Sequence, residues 1–385
     1  MRAIILFFIC VMMVSQVVIG QETSCLSDFR DFEMLQPEIT PSVHDLTYKA
    51  RMAWYGECIV FGSDTGLWLY DPEHPNFPTQ LVVVEDRAIT HIAVNPTSQL
   101  IAFSVAQQPI VYLINPSVAI EPITAEAQVV TSIAFSEDGS SLAIASSDIF
   151  EYEGAEFYDS GRVQVWNVAE SRASTVLSGS ALISYIFLPL NADYVLTHGV
   201  DPGYIGDNVE YWQIEDVSLV WSSDSLLRSL DLWSPNDPLA VSLVEASNGV
   251  LALGGLDGYH DWDEYYGTGV HLWNMDTLTR IHEIVIHRRG VNQDDQYLTR
   301  LALNSEGSML ATAQNNGVLR TWDVRDGIAL GKFNINFRGN IQLQFSPDSE
   351  KLAVLSDEQG LVLDVQSMEE IISFDVSRFE IIASR

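Results

Sequence analysis

The sequence predicts an all-β fold made of seven similar units, each with four short antiparallel strands. Three observations predict it. An alternating apolar pattern recurs seven times, each copy is followed by a second strand-like signature, and no stretch beyond the first 20 residues shows helical periodicity. The chain has 385 residues, of which 47% are hydrophobic, so it is long enough to bury a large core.

The repeated pattern is an alternating apolar run, a turn and a second apolar run. Its clear copies are "ITHIAVNPTSQLIAFS" (89–104), "VTSIAFSEDGSSLAIAS" (130–146), "LTRLALNSEGSMLATA" (298–313) and "NIQLQFSPDSEKLAVLS" (340–356). Weaker copies are "YKARMAWYGECIVFGS" (48–63), "LISYIFLPLNADYVLTHG" (182–199) and "LAVSLVEASNGVLALGG" (239–255). Because period-2 alternation is typical of strands, each copy predicts the first two strands of a unit.

The second signature predicts the third strand of each unit. It begins at a turn residue and has an aromatic or aliphatic residue near its end, as in "GLWLYDP" (66–72), "IVYLINP" (110–116), "GRVQVWNV" (161–168), "NVEYWQI" (208–214), "GVHLWNM" (269–275), "GVLRTWDV" (317–324) and "GLVLDV" (360–365). A further apolar run, such as "TQLVVVE" or "IISFDV", then predicts the fourth strand.

These units resemble the blades of WD-repeat β-propellers, most clearly in "LNSEGSMLATAQNNGVLRTWDV" and in "FSPDSEKLAV" followed by "GLVLDV". The resemblance covers about 48–385 and implies a seven-bladed β-propeller of four-stranded antiparallel blades, with proteins as the usual partners. The repeats are degenerate, because Trp322 and Asp323 form the only Trp-Asp pair that ends a repeat and the opening Gly-His pair is absent. The family's Asp-His-Ser-Trp network therefore has no counterpart here, and we expect apolar packing between blades instead.

Stacking seven blades round an axis buries the sheet faces, and closing the ring protects the ends. The resemblance implies that a strand from the opposite terminus completes the last blade. The seventh unit nevertheless has a fourth strand of its own in "IISFDV" (371–376). Both "PEITPSVHDL" (37–46) and the tail "FEIIAS" (379–384) stay open as the segment that closes the ring.

Units three, four and five are longer than the others. The residue before the first turn gives spacings of 40, 41, 53, 56, 59 and 42 residues, measured at Trp54, Val94, Phe135, Leu188, Val244, Leu303 and Phe345. A plain blade needs about 40 residues. The extra residues form inserts between strands two and three (148–160, 201–208 and 257–266) and links between units (224–238 and 287–296). Because strands alternate in direction, we expect all five elaborations on one face of the ring.

The three inserts are acidic and aromatic, with 11 Asp and Glu residues and no Lys or Arg. Tyr and Trp give contact area at low entropic cost, and neighbouring carboxylates suit cationic groups. We therefore predict a recognition surface on these loops. The candidate residues are Glu151, Tyr152, Glu153, Phe157, Tyr158, Asp159, Tyr204, Asp207, Tyr259, Asp261, Trp262, Asp263, Glu264, Tyr265 and Tyr266. The alternative is that long loops of an acidic protein simply become acidic, with aromatic rings that pin them down.

The predicted function is a non-enzymatic protein-binding or scaffolding module. A carbohydrate or a cationic ligand is open as the partner, and so is calcium bound by carboxylates. The rival class is an extracytoplasmic propeller enzyme, glycosidase-like or lactonase-like, that uses the same loops. No catalytic residue and no metal ligand is assigned, because nucleophile-elbow, phosphate-loop and Cys-x-x-Cys motifs are absent, and "HEIVIH" (282–287) has the wrong spacing for a zinc helix.

The first 20 residues, "MRAIILFFICVMMVSQVVIG", predict a cleaved secretory signal, with an uncleaved membrane anchor as the minor alternative. Residues 21–46 then form an N-terminal arm and 47–385 the propeller. Removal of 1–20 deletes Cys10 and leaves Cys25 and Cys58, which permits one disulfide in an oxidising compartment. Two separate thiols are the alternative.

The chain carries a formal charge of −33, from 19 basic and 52 acidic residues. Nucleic acid and anionic membrane surfaces are poor partners for it, because both require a basic patch.

Overall fold

The computed structural model describes residues 25, 51–75, 78–84, 88–115, 118–119, 122–152, 155–178, 182–190, 193–200, 207–215, 217–222, 240–260, 264–288, 298–336, 341–356 and 359–376. This part of the chain consists of β-strands joined by turns and short connections, without an α-helix. Within it, no helix has the length and apolar character that crossing a membrane requires.

The strands form seven antiparallel sheets that follow one another along the chain as the blades of a β-propeller. Blade one contains β1 (Arg51–Tyr55), β2 (Cys58–Gly62), β3 (Gly66–Tyr70) and β4 (Thr79–Val83). Blade two contains β5 (Ile89–Val94), β6 (Ile101–Val105) and β7 (Ile110–Asn115), and its fourth strand is divided into β8 (Val118–Ala119) and β9 (Ile123–Thr124), both paired with β7. Blade three contains β10 (Val129–Phe135), β11 (Ser141–Tyr152), β12 (Ala155–Asn167) and β13 (Arg172–Ser178).

The remaining four blades repeat this order. Blade four contains β14 (Leu182–Phe187), β15 (Tyr194–Val200), β16 (Asp207–Gln213) and β17 (Ser218–Ser222). Blade five contains β18 (Ala240–Ser247), β19 (Val250–His260), β20 (Glu264–Asn274) and β21 (Thr279–Arg288). Blade six contains β22 (Leu298–Leu303), β23 (Met309–Gln314), β24 (Val318–Asp323) and β25 (Ala329–Asn334). Blade seven contains β26 (Gln342–Phe345), β27 (Lys351–Leu355), β28 (Gln359–Asp364) and β29 (Glu370–Asp375).

The prediction of seven four-stranded antiparallel blades is confirmed. The first strand of each blade is the innermost, since first strands of neighbouring blades contact one another all round the ring. They therefore border the central channel that is characteristic of propellers.

Apolar packing between blades holds the ring together, as the sequence predicts. Among the described residues, the buried hydrophobic side chains form seven clusters, one at each interface between neighbouring blades. At the interface of blades five and six, for example, Val270 and Leu272 pack with Leu301 and Leu310, and each of the four is fully buried. Each blade thus buries one face on the preceding blade and the other on the next.

The seam between blades seven and one is closed by side chains. Met52 N donates to Gln342 Oε1 at 3.1 Å, and Trp54 Nε1 donates to the Gln344 carbonyl at 3.1 Å. Hydrophobic side chains from both blades, including Phe61 and Leu355, pack together at the same interface. Blade seven has its own fourth strand, β29, so its four strands come from one continuous segment. The two candidate closing segments, 37–46 and 379–384, lie outside the described residues.

Five of the innermost strands contain a register shift at the same place. The residue passed over by the pairing is Thr90, Thr131, Ser184, Ser242 or Thr299. In three blades its hydroxyl donates to a carbonyl of the second strand, from Thr90 to Ser104 (3.4 Å), Ser184 to His198 (3.3 Å) and Thr299 to Ala313 (3.2 Å). A bulge re-aims the next side chain, so this repeated feature sets the direction of the residue that follows it.

The turns between strands one and two form a belt of hydrogen bonds on one face of the ring, which we call the turn belt. Its contacts run from blade to blade: Tyr55 OH to Gln99 Oε1, Asn95 Nδ2 to the Gly139 carbonyl, Asn248 N to Glu137 Oε1, Asn248 Nδ2 to the Glu306 carbonyl, Asn304 Nδ2 to Ser349 Oγ, and Lys351 Nζ to Glu57 Oε2. Gly139 has a positive φ of 72°, and a Cβ there would collide with the Asn95 amide. The belt therefore requires glycine at that turn.

We predict that Leu301→Ala destabilises the protein by about 2–5 kcal/mol, because it leaves a cavity between blades five and six. Leu330→Ala is the matched control, since Leu330 is 53% exposed on β25. We expect that control to change the free energy of unfolding by less than about 0.5 kcal/mol. Chemical denaturation monitored by tryptophan fluorescence measures both. Equal losses for the two variants would contradict the assignment of the core.

Candidate functional site

The inserts of blades three and five are strands rather than the loops that the sequence suggested. In blade three the pairing continues from Asp148↔Asp159 to Tyr152↔Ala155, and in blade five from Leu256↔Thr268 to His260↔Glu264. Aromatic and β-branched residues favour extended pairing, which explains why these stretches continue the sheet. We call the hairpin over 148–159 arm three and the hairpin over 256–267 arm five.

The arms contain most of the predicted recognition residues. Glu151 and Tyr152 end β11, Phe157, Tyr158 and Asp159 lie in β12, Tyr259 lies in β19, and Glu264, Tyr265 and Tyr266 begin β20. Asp207 begins β16 in blade four. Five predicted residues, Glu153, Tyr204, Asp261, Trp262 and Asp263, lie outside the described residues.

Both arms emerge from the face opposite the turn belt. Each arm connects strands two and three of its blade, and this connection is at the end of strand two that lies away from the turn belt. Arm three continues for five residues of β11 beyond the last pair with β10, at Ser147. At about 3.3 Å per residue, this is a projection of roughly 17 Å. Arm five projects in the same way from β19 and β20. Blade four lies between them, and its pairing ends at Val200↔Asp207.

The base of arm three has an exposed aromatic ring next to two aspartates. Phe150 is 46% exposed and Asp159 is exposed, whereas Tyr158 is half-buried. Asp148 pairs with Arg162 at 3.3 Å, and Ile149 N donates to Gln128 Oε1 at 3.2 Å. Phe150 was not among the predicted recognition residues, although it lies in the same aromatic stretch.

The structure joins Cys25 and Cys58 in a disulfide, with a Cα–Cα distance of 6.1 Å. Cys58 is buried in the cluster between blades one and two, and Cys25 packs against it. Asp71 is close enough to the two sulfur atoms to form, with them, the one group of three His, Cys, Asp or Glu side chains in the described residues with metal-ligand spacing. The disulfide engages both sulfur atoms, and Asp71 pairs with His74 at 3.0 Å.

A second polar site lies on the innermost strands, at the residue that follows each bulge. We call this ring of residues the inner girdle: Arg51, His91, Ser132, Tyr185, Leu243, Arg300 and Gln342. Five of them follow a register shift, and Arg51 and Gln342 hold the corresponding place in blades one and seven. In blade three the girdle residue pairs with Ala145, three residues before arm three begins, so the girdle is at the channel mouth on the face with the arms.

Hydrogen bonds between blades fix the inner girdle. Arg51 Nε donates to the Thr90 carbonyl at 2.7 Å, and Arg300 Nε makes the same bond to the Ile341 carbonyl at 3.0 Å. In both cases the acceptor residue directly precedes the girdle residue of the next blade. The Tyr185 hydroxyl accepts a hydrogen bond from Ala246 N of blade five at 2.9 Å. Two arginines and a tyrosine are thus held against neighbouring blades.

Glu245 lies two residues beyond the girdle position of blade five, deeper in the channel. Burial raises the pKa of Glu245 to about 8, although the Arg300 charge and a hydrogen bond with Tyr185 act in the opposite direction. Burial also lowers the pKa of Arg300, and burial together with the charge of Glu245 raises the pKa of Tyr185 well above its usual value. Three consecutive blades therefore contribute coupled polar groups to one part of the channel wall.

Sequence reasoning missed these residues, although two local signals point to them. An aliphatic residue followed by Ser or Thr opens five of the seven repeats, as in "ITHI", "VTSI", "ISYI", "VSLV" and "LTRL", and it marks the bulge. Glu245 is an acid within the apolar run "AVSLVEAS". The assembly of girdle residues from seven blades, up to about 290 positions apart along the chain, has no local signature.

Comparisons with solved structures agree with the fold. The chain is similar to a structure titled Kuenenia stuttgartiensis hydrazine synthase, with a TM-score of 0.61 and 11% identity, over 85% of this chain and 99% of that one. It is also similar to Hsv2 of Kluyvelomyces marxianus, with a TM-score of 0.50 and 14% identity, over 75% of this chain and 81% of that one. Both are β-propellers. No protein-family model and no curated protein matches the chain. At these identities, the likeness shows the propeller fold alone.

We predict that the stability of the protein falls as the pH rises from about 4.5 to 8, relative to a Glu245→Gln variant. The folded-state pKa of Glu245 is raised from 4.5 to about 8, so the native state holds a proton that the unfolded state has lost over this interval. The stabilisation is complete below pH 4.5 and is lost as the pH passes through 8. Calorimetric melting temperatures at pH 5 and 8 test this, and parallel behaviour of the two proteins would contradict it.

Proposed function

We propose that this β-propeller is a secreted binding module that recognises a partner protein with the face carrying arms three and five. The observation that carries the proposal is the extension of β11, β12, β19 and β20. These strands have 11 to 13 residues, whereas β22–β25 of blade six have six each. Burying the blade faces does not require these extra residues. Rigid projections on a stable scaffold are suited to recognition.

The residues of arm three favour a partner surface that is basic and partly apolar. The register places acids directly opposite each other twice, at Asp148↔Asp159 and Glu151↔Glu156. Like charges at directly opposite positions destabilise a hairpin. Arg162 offsets the first pair by its contact with Asp148, and Lys or Arg side chains of a partner would offset the second. Phe150, 46% exposed, offers a ring for apolar or cation–π contact.

Secretion is part of this proposal. It is supported by the signal-like composition of residues 1–20 and by the disulfide between Cys25 and Cys58, which suits an oxidising compartment. An enzyme that uses the same loops is the rival function. The similar structure from Kuenenia stuttgartiensis is titled as an enzyme, but no group of acids on the described part of the arms favours a specific reaction.

We expect neutralisation of arm three to weaken partner binding at least tenfold. The test variant combines Glu151→Gln, Glu156→Gln and Asp159→Asn, and a second variant carries Phe150→Ser. The immobilised protein is incubated with the extracellular fraction of its source, and captured proteins are quantified by mass spectrometry. The affinity of the main captured protein is then measured for each variant at low and high salt, because a charge-driven contact weakens with ionic strength.

The matched control is Asp326→Asn, Glu369→Gln and Glu370→Gln, which removes three exposed acids from blades six and seven. We expect this control to bind like the native protein. Loss of binding in the control as well as in the arm variant would mean that net charge, and not the arms, drives association. A melting temperature that drops by more than about 5 °C in the Phe150→Ser variant would instead place that ring in the core.

A further inference from the structure

Among the described residues, the inner girdle carries two arginines and a histidine on the face with the arms, in a protein whose formal charge is −33. The girdle residues Arg300, Gln342, Arg51 and His91 come from four consecutive blades, six, seven, one and two. These residues are half-buried and belong to innermost strands. Hydrogen-bond donors thus occupy one half of the girdle, and two of them carry a permanent positive charge.

Backbone and side-chain hydrogen bonds link this half of the girdle without a break. Arg300 Nε bonds the Ile341 carbonyl, Gln342 Oε1 accepts from Met52 N, and Arg51 Nε bonds the Thr90 carbonyl. The Nε atom of each arginine therefore faces a protein oxygen, which fixes the plane of the guanidinium group. A group held in this way loses little entropy when it binds a ligand.

Glu245 is the acid whose charge acts on Arg300, but the two side chains do not form a salt bridge in the described part of the chain. The one hydrogen bond of Arg300 there is the bond from Nε to the Ile341 carbonyl. The pKa of Glu245, raised to about 8, means that its carboxyl group is mostly protonated at neutral pH. Burial meanwhile lowers the pKa of Arg300. A half-buried cation without a salt bridge is unfavourable, and an anion that binds to it offsets part of this cost.

The Gln344 side chain adds a buried polar atom to the same wall of the channel. Its Oε1 atom is buried and has no hydrogen-bond partner among the described residues. Gln344 lies two residues beyond Gln342 on β26, and Glu245 lies at the corresponding depth in blade five. Because this amide oxygen only accepts, it indicates a donor such as a water molecule in the channel and does not itself bind an anion.

We propose that the inner girdle binds a carboxylate at the channel mouth, with the two Nη atoms of Arg300 as the principal donors. A guanidinium whose Nε is already engaged presents its outer edge, and that edge forms two parallel hydrogen bonds with one carboxylate. The chain's overall negative charge repels a dianion twice as strongly as a monoanion. A monocarboxylate is therefore favoured over phosphate. The carboxylate belongs to a free small acid or to the C-terminus of a peptide, and the experiment distinguishes these sources.

The test uses the purified protein with acetate, inorganic phosphate, and a short peptide in free-acid and C-terminally amidated forms. Saturation-transfer NMR measures acetate contact, and calorimetry measures the peptides. We expect acetate to bind saturably, and Arg300→Gln to weaken it at least tenfold. Arg280→Gln, which removes an equally charged but exposed residue of β21, is expected to bind like the native protein. Arg300→Lys keeps the positive charge but lacks the two Nη donors, so we expect it to weaken acetate binding as well.

Three further readouts decide the proposal. Acetate binding should fall above pH 8, because ionised Glu245 then competes for Arg300, and this fall should disappear in Glu245→Gln. If the free-acid peptide binds more tightly than acetate and amidation removes this gain, the site binds a peptide terminus. If the free-acid peptide and acetate bind with equal affinity, the site binds a small acid. The proposal is overturned if acetate does not bind saturably, if phosphate binds more tightly than acetate, or if a folded Arg300→Lys variant binds acetate like the native protein.

Discussion

The burial of each sheet against its neighbours is the constraint on which the whole structure depends. A four-stranded blade has two apolar faces, and neither is covered within the blade. The seven clusters between blades cover them all, and the last of these joins blade seven to blade one. Each interface buries several large side chains at about 1.5–3 kcal/mol apiece. The channel and the turn belt are consequences of this closed ring, and the arms project from it.

The ring separates two kinds of surface. On one face, the turn belt links most of the strand-one to strand-two turns by short polar contacts, and Gly139 allows two of these turns to approach closely. On the other face, arms three and five continue their sheets beyond the blades, and the inner girdle opens into the channel. The second face combines acidic projections with the arginines of the inner girdle.

The repeat in the sequence predicts the seven blades, because period-2 alternation depends only on neighbouring residues. Even the fourth strand of blade seven is found in this way: the run "IISFDV" overlaps β29. The sequence predicts loops for arms three and five, because acidic residues interrupt the alternation of apolar and polar residues there. Their aromatic residues nevertheless continue the strand pattern. The girdle lies beyond local reasoning, since its charge balance depends on Glu245 and Arg300 being brought together by the packing of blade six on blade five.

In the described part of the chain, blades one and seven are each made from a single continuous stretch, and bonds between side chains and backbone cross the seam between them. No blade in the described part of the chain borrows a strand from a distant segment. A circularly permuted protein, opened at any link between blades and joined across the present seam, would keep all seven sheets whole. In energetic terms the seam is one interface among seven equivalents.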